Sequence, residues 1–267
     1  MPQRLYKGDP LSPDERDELE CDLISFCDRE LDLLGDVGGL RVLYAGGASP
    51  LWIEGLARRV GSGGSLTALE ADPERIEAAR TLLPQAEVPC PVRLVHGDVF
   101  DPPFAGETFD LVYSAGLFHE LDVGRRPASE ALRALARVTR PGGRIATSDF
   151  VDTVPATQLE DENLQRLAAR ERSGAVLYGI GPPGRLISLH ETVLAHVRWR
   201  ISPPFRIRHL EKLVLRELCD PAGPYPALAR SHPGRIEALR QRILREGYTR
   251  PATLYVEGTV STEVCKK

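Results

Sequence analysis

Residues 40–72, LRVLYAGGASPLWIEGLARRVGSGGSLTALEAD, decide the fold of this chain. The stretch opens with six mostly apolar residues and passes into the glycine pair Gly46 and Gly47. A second apolar run, residues 66–69, is followed directly by Glu70. These two runs predict two buried strands of a parallel sheet, with a tight turn after the first and an acid after the second.

A helix is predicted between the two strands. Ser49 accepts hydrogen bonds from free backbone N–H groups at a helix start, and Pro50 loses no bond at the first helical position. The helix is expected to run to about Val60, because the glycine-rich residues 61–64 end it. The order is therefore strand, glycine turn, helix, strand and acid.

This βαβ unit predicts a site for a ligand that carries adenosine. In such units the ligand lies over the first turn, and the acid after the second strand accepts from the ribose hydroxyls. Gly46 and Glu70 are 24 positions apart, near the spacing that this arrangement requires. The alternative reading of Glu70 is a surface charge.

The rest of the chain continues the alternation of strands and helices. A capping box at Ser12 to Glu15 begins an N-terminal helix that ends at Gly35. Predicted strands are residues 91–96, 109–114, 144–148 and 252–260, and predicted helices are residues 73–83 and 127–138, with a turn at 139–143. Such alternation predicts an α/β fold with a doubly wound, mostly parallel seven-stranded sheet (Rossmann-like), an N-terminal helix and a helical cap.

Four regions follow from these signals. They are an N-terminal helical segment (1–37), a Rossmann-like core that binds the cofactor (38–150), a mostly helical cap (151–250) and a C-terminal strand that completes the sheet (251–267). Cap helices are predicted at 157–172, 187–199, 208–218 and 234–246, with loops at 179–184 and 220–226. The pattern at 197–201 fits either a strand or the end of a helix.

Composition favours a globular cytoplasmic protein. The chain has 267 residues, a net charge of −4 and no apolar stretch as long as a membrane span. Its five cysteines show no metal-ligand spacing, so no metal site is predicted. Charge is uneven: residues 1–40 hold 11 acids and 4 bases, and residues 201–250 hold 10 bases and 5 acids. The basic segment indicates solvated helix surfaces or, alternatively, attraction to an anionic partner.

Taken together, residues 38–150 resemble the class I S-adenosylmethionine-dependent methyltransferases. The resemblance is carried by the turn at Gly46 and Gly47, by Glu70, by Gly97-Asp98-Val99 after the third strand and by Arg140-Pro-Gly-Gly-Arg before the fifth. It implies S-adenosyl-L-methionine as cofactor, with Glu70 on the ribose and Asp98 on the adenine amino group. The cofactor-binding residues expected on this basis are Tyr44, Gly46, Gly47, Glu70, Ala71, Asp98, Val99 and Ser114.

The first motif departs from the pattern of that family. The family has an acid and three glycines where this chain has Tyr44, Gly46, Ala48 and Pro50. The missing acid at position 44 removes a usual partner of the methionine ammonium group. Three explanations stay open: a shifted amino-acid arm, a compensating carboxylate elsewhere, or a cofactor that is bound but not used for methyl transfer.

Catalytic residues are expected after the fourth strand, since ligands bind at the carboxyl ends of parallel strands. His119 is the candidate general base, because its ordinary pKa near 6.5 suits proton transfer and Glu120 adjoins it; the alternative is a wall of the pocket. Candidate substrate contacts are Tyr113, Phe118, Glu120, Tyr178 and His190.

The function predicted from these features is methyl transfer to oxygen, nitrogen or carbon of a small molecule. Two alternatives remain: transfer of the aminoalkyl arm of the same cofactor, and cofactor binding without catalysis. We expect a small-molecule substrate and neither a membrane nor a nucleic-acid partner, and a homodimer is compatible with the sequence.

Overall fold

The computed structural model describes residues 11–83, 88–219 and 225–261. Within them the strands are β1 (Arg41–Ala45), β2 (Ser65–Glu70), β3 (Val92–His96), β4 (Phe109–Ala115), β5 (Thr139–Val151), β6 (Ala195–Ser202) and β7 (Ala252–Thr259). The helices are α1 (Pro13–Leu31), α2 (Pro50–Val60), α3 (Pro73–Leu82), α4 (Ala128–Val138), α5 (Thr157–Ser173), α6 (Pro183–Glu191), α7 (Leu210–Glu217), α8 (Tyr225–Ser231) and α9 (Pro233–Glu246). Across these residues, no helix has the length and apolarity needed to cross a bilayer.

The strands form one sheet in the order β3-β2-β1-β4-β5-β7-β6. All neighbouring pairs are parallel except those that β7 makes with β5 and β6. The predicted fold class, a doubly wound and mostly parallel seven-stranded sheet, is confirmed. The order reverses between β1 and β4, and ligands of open α/β sheets bind at such a switch point.

Local signals placed the central elements correctly. Ser12 and Glu15 form the predicted capping box at the start of α1, and Asp72 accepts from Glu74 N to cap α3. At α2, Pro50 is in the first turn as predicted, but the side chain of Ser49 makes no capping hydrogen bond. The expectation of a serine cap there is wrong.

Three other expectations need correction. The predicted helix 187–199 ends at Glu191, and Ala195–Ser202 pairs with β7 as an edge strand. The predicted turn 139–143 lies within β5, where the register shifts between the pairs Phe109–Thr139 and Leu111–Arg144. In the predicted loop 220–226, Tyr225 begins α8, and residues 220–224 lie outside the described part of the chain, as does Cys265.

The cap is held against α1. Leu19 and Leu23 of α1 pack with Leu164 of α5 and with apolar residues of α7, α8 and α9. Polar contacts join the same elements: Arg208 Nη2 lies 2.9 Å from Asp22 Oδ1, and Lys212 Nζ lies 2.5 Å from Glu15 Oε1. The acidic N-terminal segment and part of the basic segment therefore neutralise each other within the fold.

A buried carboxylate fixes α5 within the cap. Asp161 accepts hydrogen bonds from the hydroxyls of Tyr225 and Tyr248, the latter at 2.5 Å. The Asp161 side chain is almost fully buried. Removing either tyrosine hydroxyl would leave a buried polar group without its hydrogen bond, which would cost about 1–3 kcal/mol of stability. This anchoring holds the face of α5 that carries Gln158 and Glu162 toward the sheet.

Candidate active site

A cavity of about 760 Å³ opens at the carboxyl ends of β1, β4 and β5. Its floor is the backbone after β1 and β4, and its roof comes from α1, α5 and the start of β7. The lining includes Phe26, Glu30, Tyr44, Gly46, Gly47, Trp52, Glu70, Arg75, Gly116, His119, Glu120, Ser148, Asp149, Phe150, Gln158, Glu162, Arg250 and Thr253. The N-terminal helix and the cap thus share one site with the Rossmann-like core.

The glycine turn after β1 is shaped by neighbouring side chains. Gly46 has φ +75°, a conformation that favours glycine, and a Cβ there would overlap Leu117. A Cβ on Gly47 would lie 2.5 Å from the Tyr44 hydroxyl. Tyr44, which stands where the family has an acid, therefore folds back over the turn, and Gly47 leaves room for it.

Glu70 lines the cavity and has one carboxylate oxygen without a hydrogen-bond partner. Its Oε1 accepts from Asp72 N at 3.0 Å, whereas its Oε2 is buried without a hydrogen-bond partner and lies 4.0 Å from Arg75 Nη1. A buried acceptor left unpaired costs about 1–3 kcal/mol. Ribose hydroxyls are donors that would pair this oxygen.

Unpaired polar atoms are concentrated around this cavity. Five buried oxygens that lack a hydrogen-bond partner belong to residues that line it, namely Glu30 Oε2, Glu70 Oε2, Ser148 Oγ, Gln158 Oε1 and Thr253 Oγ1. Native proteins pair nearly all buried polar groups. An elongated, polar ligand with several donors fits this lining, and S-adenosylmethionine is such a molecule.

His119 and Asp149 form a buried dyad at the middle of the cavity. His119 Nδ1 donates to Asp149 Oδ1 at 2.6 Å, and the backbone N of His119 donates to Asp149 Oδ2 at 3.1 Å. His119 Nε2 lies 3.9 Å from a carboxylate oxygen of Glu120 and 3.9 Å from one of Glu162. The dyad fixes the imidazole ring and leaves Nε2 to meet a ligand.

Electrostatics make His119 an unusually strong base. Burial alone lowers the pKa of the imidazole, but the Asp149, Glu162 and Glu120 carboxylates outweigh it and raise this pKa to about 9. Burial also raises the pKa of Glu162 above its ordinary value. In the ligand-free site His119 is therefore cationic at neutral pH.

An aromatic wall stands beside the dyad. The Phe26 ring stacks on Phe150 at 6.5 Å and meets Trp52 edge-on at 6.3 Å, and His119 lies 5.6 Å from Phe150. The Arg250 guanidinium lies 4.9 Å from the centre of the Phe26 ring. A planar apolar group would pack well here, with its polar edge toward His119.

The residues predicted to bind the cofactor divide into two groups. Tyr44, Gly46, Gly47 and Glu70 line the cavity, whereas Ala71, Asp98, Val99 and Ser114 do not. Asp98 is exposed and accepts from Phe100 N at 2.9 Å. The Ala71 carbonyl accepts from His96 Nε2 at 3.0 Å, and Ser114 Oγ donates to Thr147 Oγ1 at 3.1 Å. Roles of these four residues toward a cofactor stay predictions.

Of the residues predicted to contact substrate, the structure brings only Glu120 to the lining of the main cavity. Tyr113 is fully buried, and Phe118 and Tyr178 line a small neighbouring cavity. His190 is buried between Thr147 Oγ1 and Leu186 O, and burial lowers its pKa to about 4. Its bonds and neutral ring indicate a structural side chain.

Several lining residues are not predicted from the sequence, although two of them occupy positions in the sequence that are typical of functional residues. Asp149 directly follows the predicted strand 144–148, where functional side chains of a parallel sheet are found. Glu30 lies four residues after Phe26 on the apolar stripe of α1, an unusual place for a charge. Glu162 and Arg250 left no comparable signal, because their proximity to His119 and Phe26 depends on how the cap folds back.

Residues 43–147 match the family described as a methyltransferase domain. The ubiquinone/menaquinone biosynthesis C-methyltransferase UbiE of Idiomarina loihiensis is 33% identical over 129 residues, which are 48% of this chain and 49% of that protein. The demethylmenaquinone methyltransferase of Mycobacterium marinum is 46% identical over 63 residues, 23% of this chain and 25% of that one. The chain thus spans half or less of these relatives.

Solved structures share the whole architecture. The YcgJ protein of Bacillus subtilis superposes with a TM-score of 0.59 at 17% identity and covers 91% of this chain and 99% of its own. Geranyl diphosphate C-methyltransferase of Streptomyces coelicolor was solved with Mg²⁺, geranyl diphosphate and S-adenosyl-L-homocysteine. It has a TM-score of 0.55 at 16% identity, and the match covers 95% of this chain and 85% of that one. At such identities the likeness establishes the fold.

Proposed function

We propose that this chain, whose residues 43–147 match the family described as a methyltransferase domain, methylates a small acceptor whose nucleophilic atom must first lose a proton. The observation that carries the proposal is the His119–Asp149 dyad, with Nε2 turned to the cavity that also contains Glu70. S-adenosylmethionine is the cofactor, and it supplies an electrophilic methyl group when bound. The residues present fit it, since unpaired oxygens of the cavity lining, Glu70 Oε2 among them, would accept from its hydroxyl and ammonium groups.

In this proposal the chain contributes position and one proton transfer. Asp149 holds the imidazole through Nδ1, so His119 Nε2 is the atom that takes the proton of the acceptor. Phe26, Trp52 and Phe150 exclude water and orient the acceptor for in-line attack. Side chains of α1 and α5 cover part of the cavity and limit the access of solvent to the reacting atoms.

The electrostatics of the dyad favour a weakly acidic acceptor. A base whose conjugate acid has a pKa of about 9 is matched to protons with a pKa near 10, the ordinary value of a phenol. The aromatic wall suits the ring of such an acceptor. Two relatives are named as C-methyltransferases of ubiquinone/menaquinone biosynthesis, and these names support carbon as the methylated atom.

Isotope labelling tests the proposal. The protein would be incubated with S-adenosylmethionine labelled in the methyl group or, separately, in the carboxyl group, and with a panel of phenols, enols and amines. We expect transfer of the methyl label to a phenol or enol, with S-adenosylhomocysteine formed in equal amount. Transfer of the carboxyl label would indicate aminoalkyl transfer, and binding without transfer to any acceptor would indicate a non-catalytic protein; either result contradicts the proposal.

A further inference from the structure

Glu30 is a carboxylate buried at the roof of the cavity. It lies in the last turn of α1, its side chain is fully buried, and it lines the same cavity as the glycine turn after β1. Burying a carboxylate is costly unless it is paired. The partners of this carboxylate therefore decide how much of the cost is offset.

Only half of the Glu30 carboxylate is paired within the protein. Its Oε1 accepts two hydrogen bonds from Arg29, from Nε at 3.1 Å and from Nη2 at 2.9 Å. Its Oε2 is buried without a hydrogen-bond partner. The Ser148 hydroxyl lies beside the carboxylate and offsets part of the rise that burial causes in the pKa of Glu30, yet it makes no well-formed hydrogen bond. Oε2 is therefore left without a charged donor.

The other carboxylates of the cavity are already engaged or exposed. Asp149 uses both oxygens on His119 and on Phe150 N. Glu120 is 59% exposed, and Glu162 accepts from Gln158 Nε2. Among the described residues that line the cavity, Glu30 and Glu70 are thus the buried carboxylates with an unpaired oxygen.

Glu30 and Glu70 lie on opposite sides of the glycine turn after β1, which the cofactor would cross. Glu70 ends β2, whereas Glu30 reaches Ser148 on β5, and β1 and β4 lie between these strands. Neighbouring strands are about 4.8 Å apart, so β2 and β5, which are three such steps apart, are separated by about 14 Å of backbone floor. With the ribose on Glu70, the amino-acid arm would extend over Gly46 and Gly47 toward Glu30.

We infer that the Glu30 carboxylate binds the ammonium group of the amino-acid arm of the cofactor. An ammonium group brings the donors that Oε2 lacks and the positive charge that a buried carboxylate favours. Tyr44 has no charge to offer at the position where the family has an acid, and α1 supplies the charge instead. The inference rests on the proposed function only in taking S-adenosylmethionine as the cofactor.

Calorimetric titration of three proteins tests this inference. They are the wild type, Glu30→Gln and, as a matched control on the same helix, Glu20→Gln. The ligands are S-adenosylmethionine, S-adenosylhomocysteine, its deaminated analogue and 5′-methylthioadenosine, which lacks the whole amino-acid arm. We expect Glu30→Gln to weaken S-adenosylhomocysteine binding by about ten- to a hundredfold. Binding of the two ligands without an ammonium group should change less than twofold.

Equal effects of Glu30→Gln on all ligands, or no effect on any, would overturn the assignment while leaving the proposed function intact. An effect confined to the KM of the acceptor would also overturn it. If the wild type binds neither S-adenosylmethionine nor S-adenosylhomocysteine, the proposed function itself fails. Glu30→Met, an apolar replacement of similar size, repeats the titration, and thermal melting confirms that each variant is folded.

Discussion

His119 Nδ1 lies 2.6 Å from Asp149 Oδ1, and both side chains are almost fully buried. The two residues come from the ends of neighbouring strands, since His119 follows β4 and Asp149 lies near the end of β5. Parallel pairing of these strands continues to Ala115 and Ser148, and it brings the imidazole and the carboxylate to the same edge. The bond fixes which imidazole nitrogen faces the cavity and sets the proton affinity of that nitrogen.

Replacing Asp149 by Asn should lower turnover and shift its pH dependence. In the wild type only the neutral imidazole accepts a proton, so kcat/KM should rise about tenfold per pH unit and level off near the His119 pKa of about 9. Asp149 is the largest cause that raises this pKa. Without its charge the midpoint should fall by about 1–3 pH units, and the plateau by about 10²-fold.

Asp152→Asn is the matched control for this experiment, because Asp152 is an exposed carboxylate on the loop after β5. It should keep the profile of the wild type. A profile of Asp149→Asn that is lower but not shifted would show that Asp149 acts on the fold and not through the proton affinity of His119. Cofactor affinity of both variants, measured at pH 7, should stay within about twofold.

The same ion pair should make stability depend on pH. The pKa of His119 is about 9 in the folded chain and near 6.5 when unfolded, so the folded state binds more protons between these values. This contribution is fully present below pH 6.5 and is lost as the pH rises through 9. It amounts to on the order of 3 kcal/mol.

Urea unfolding at pH 6 and pH 9.5 measures this loss. The free energy of unfolding should fall more in the wild type than in His119→Gln, in which the titrating group is absent. His96→Gln is the control, because His96 is exposed and the one contact described for its ring is to the Ala71 carbonyl. Equal pH dependence in wild type and His119→Gln would contradict the assigned ion pair.

Replacing Glu70 by Gln should weaken cofactor binding by about 1–3 kcal/mol, because the ribose hydroxyls lose a charged acceptor. The loss should disappear when the ligand is a 2′,3′-dideoxy analogue of S-adenosylhomocysteine, which has no hydroxyl to donate. Glu77→Gln removes an equal charge from an exposed site on α3 and serves as the control. Unchanged affinity of Glu70→Gln would show that Glu70 does not bind the ribose.

The sequence predicts the core elements because their signals are local. The capping box at Ser12 and the glycine turn at Gly46 act within a few residues, and each appears in the structure where it was expected. The edge strand Ala195–Ser202 was predicted in part as a helix, since its apolar spacing fits both states. Pairing with β7, a contact between distant parts of the chain, decides between them.

The candidate site is less accessible to prediction for the same reason. His119 and Glu70 stand at the carboxyl ends of strands, where position alone marks them. Glu162 approaches His119 only because α5 folds back over the sheet, with Asp161 bonded to Tyr225 and Tyr248. Such proximity depends on three-dimensional packing of the cap and leaves no periodic pattern in the chain.

The turn after β1 offers a test of how Tyr44 replaces the usual acid. Gly47→Ala would place a methyl group 2.5 Å from the Tyr44 hydroxyl and 2.6 Å from its Cζ. Since Tyr44 is buried and stacks on Tyr113 at 6.3 Å, it has little room to move, and the variant should lose about 1–3 kcal/mol of stability. In a Tyr44→Leu background the clashing atoms are gone, so the same substitution should cost much less. Urea unfolding of the two single variants and the double variant gives the coupling energy. Additive losses would mean that Gly47 is required by the backbone, whereas a smaller loss in the double variant would show that glycine is there to accommodate Tyr44.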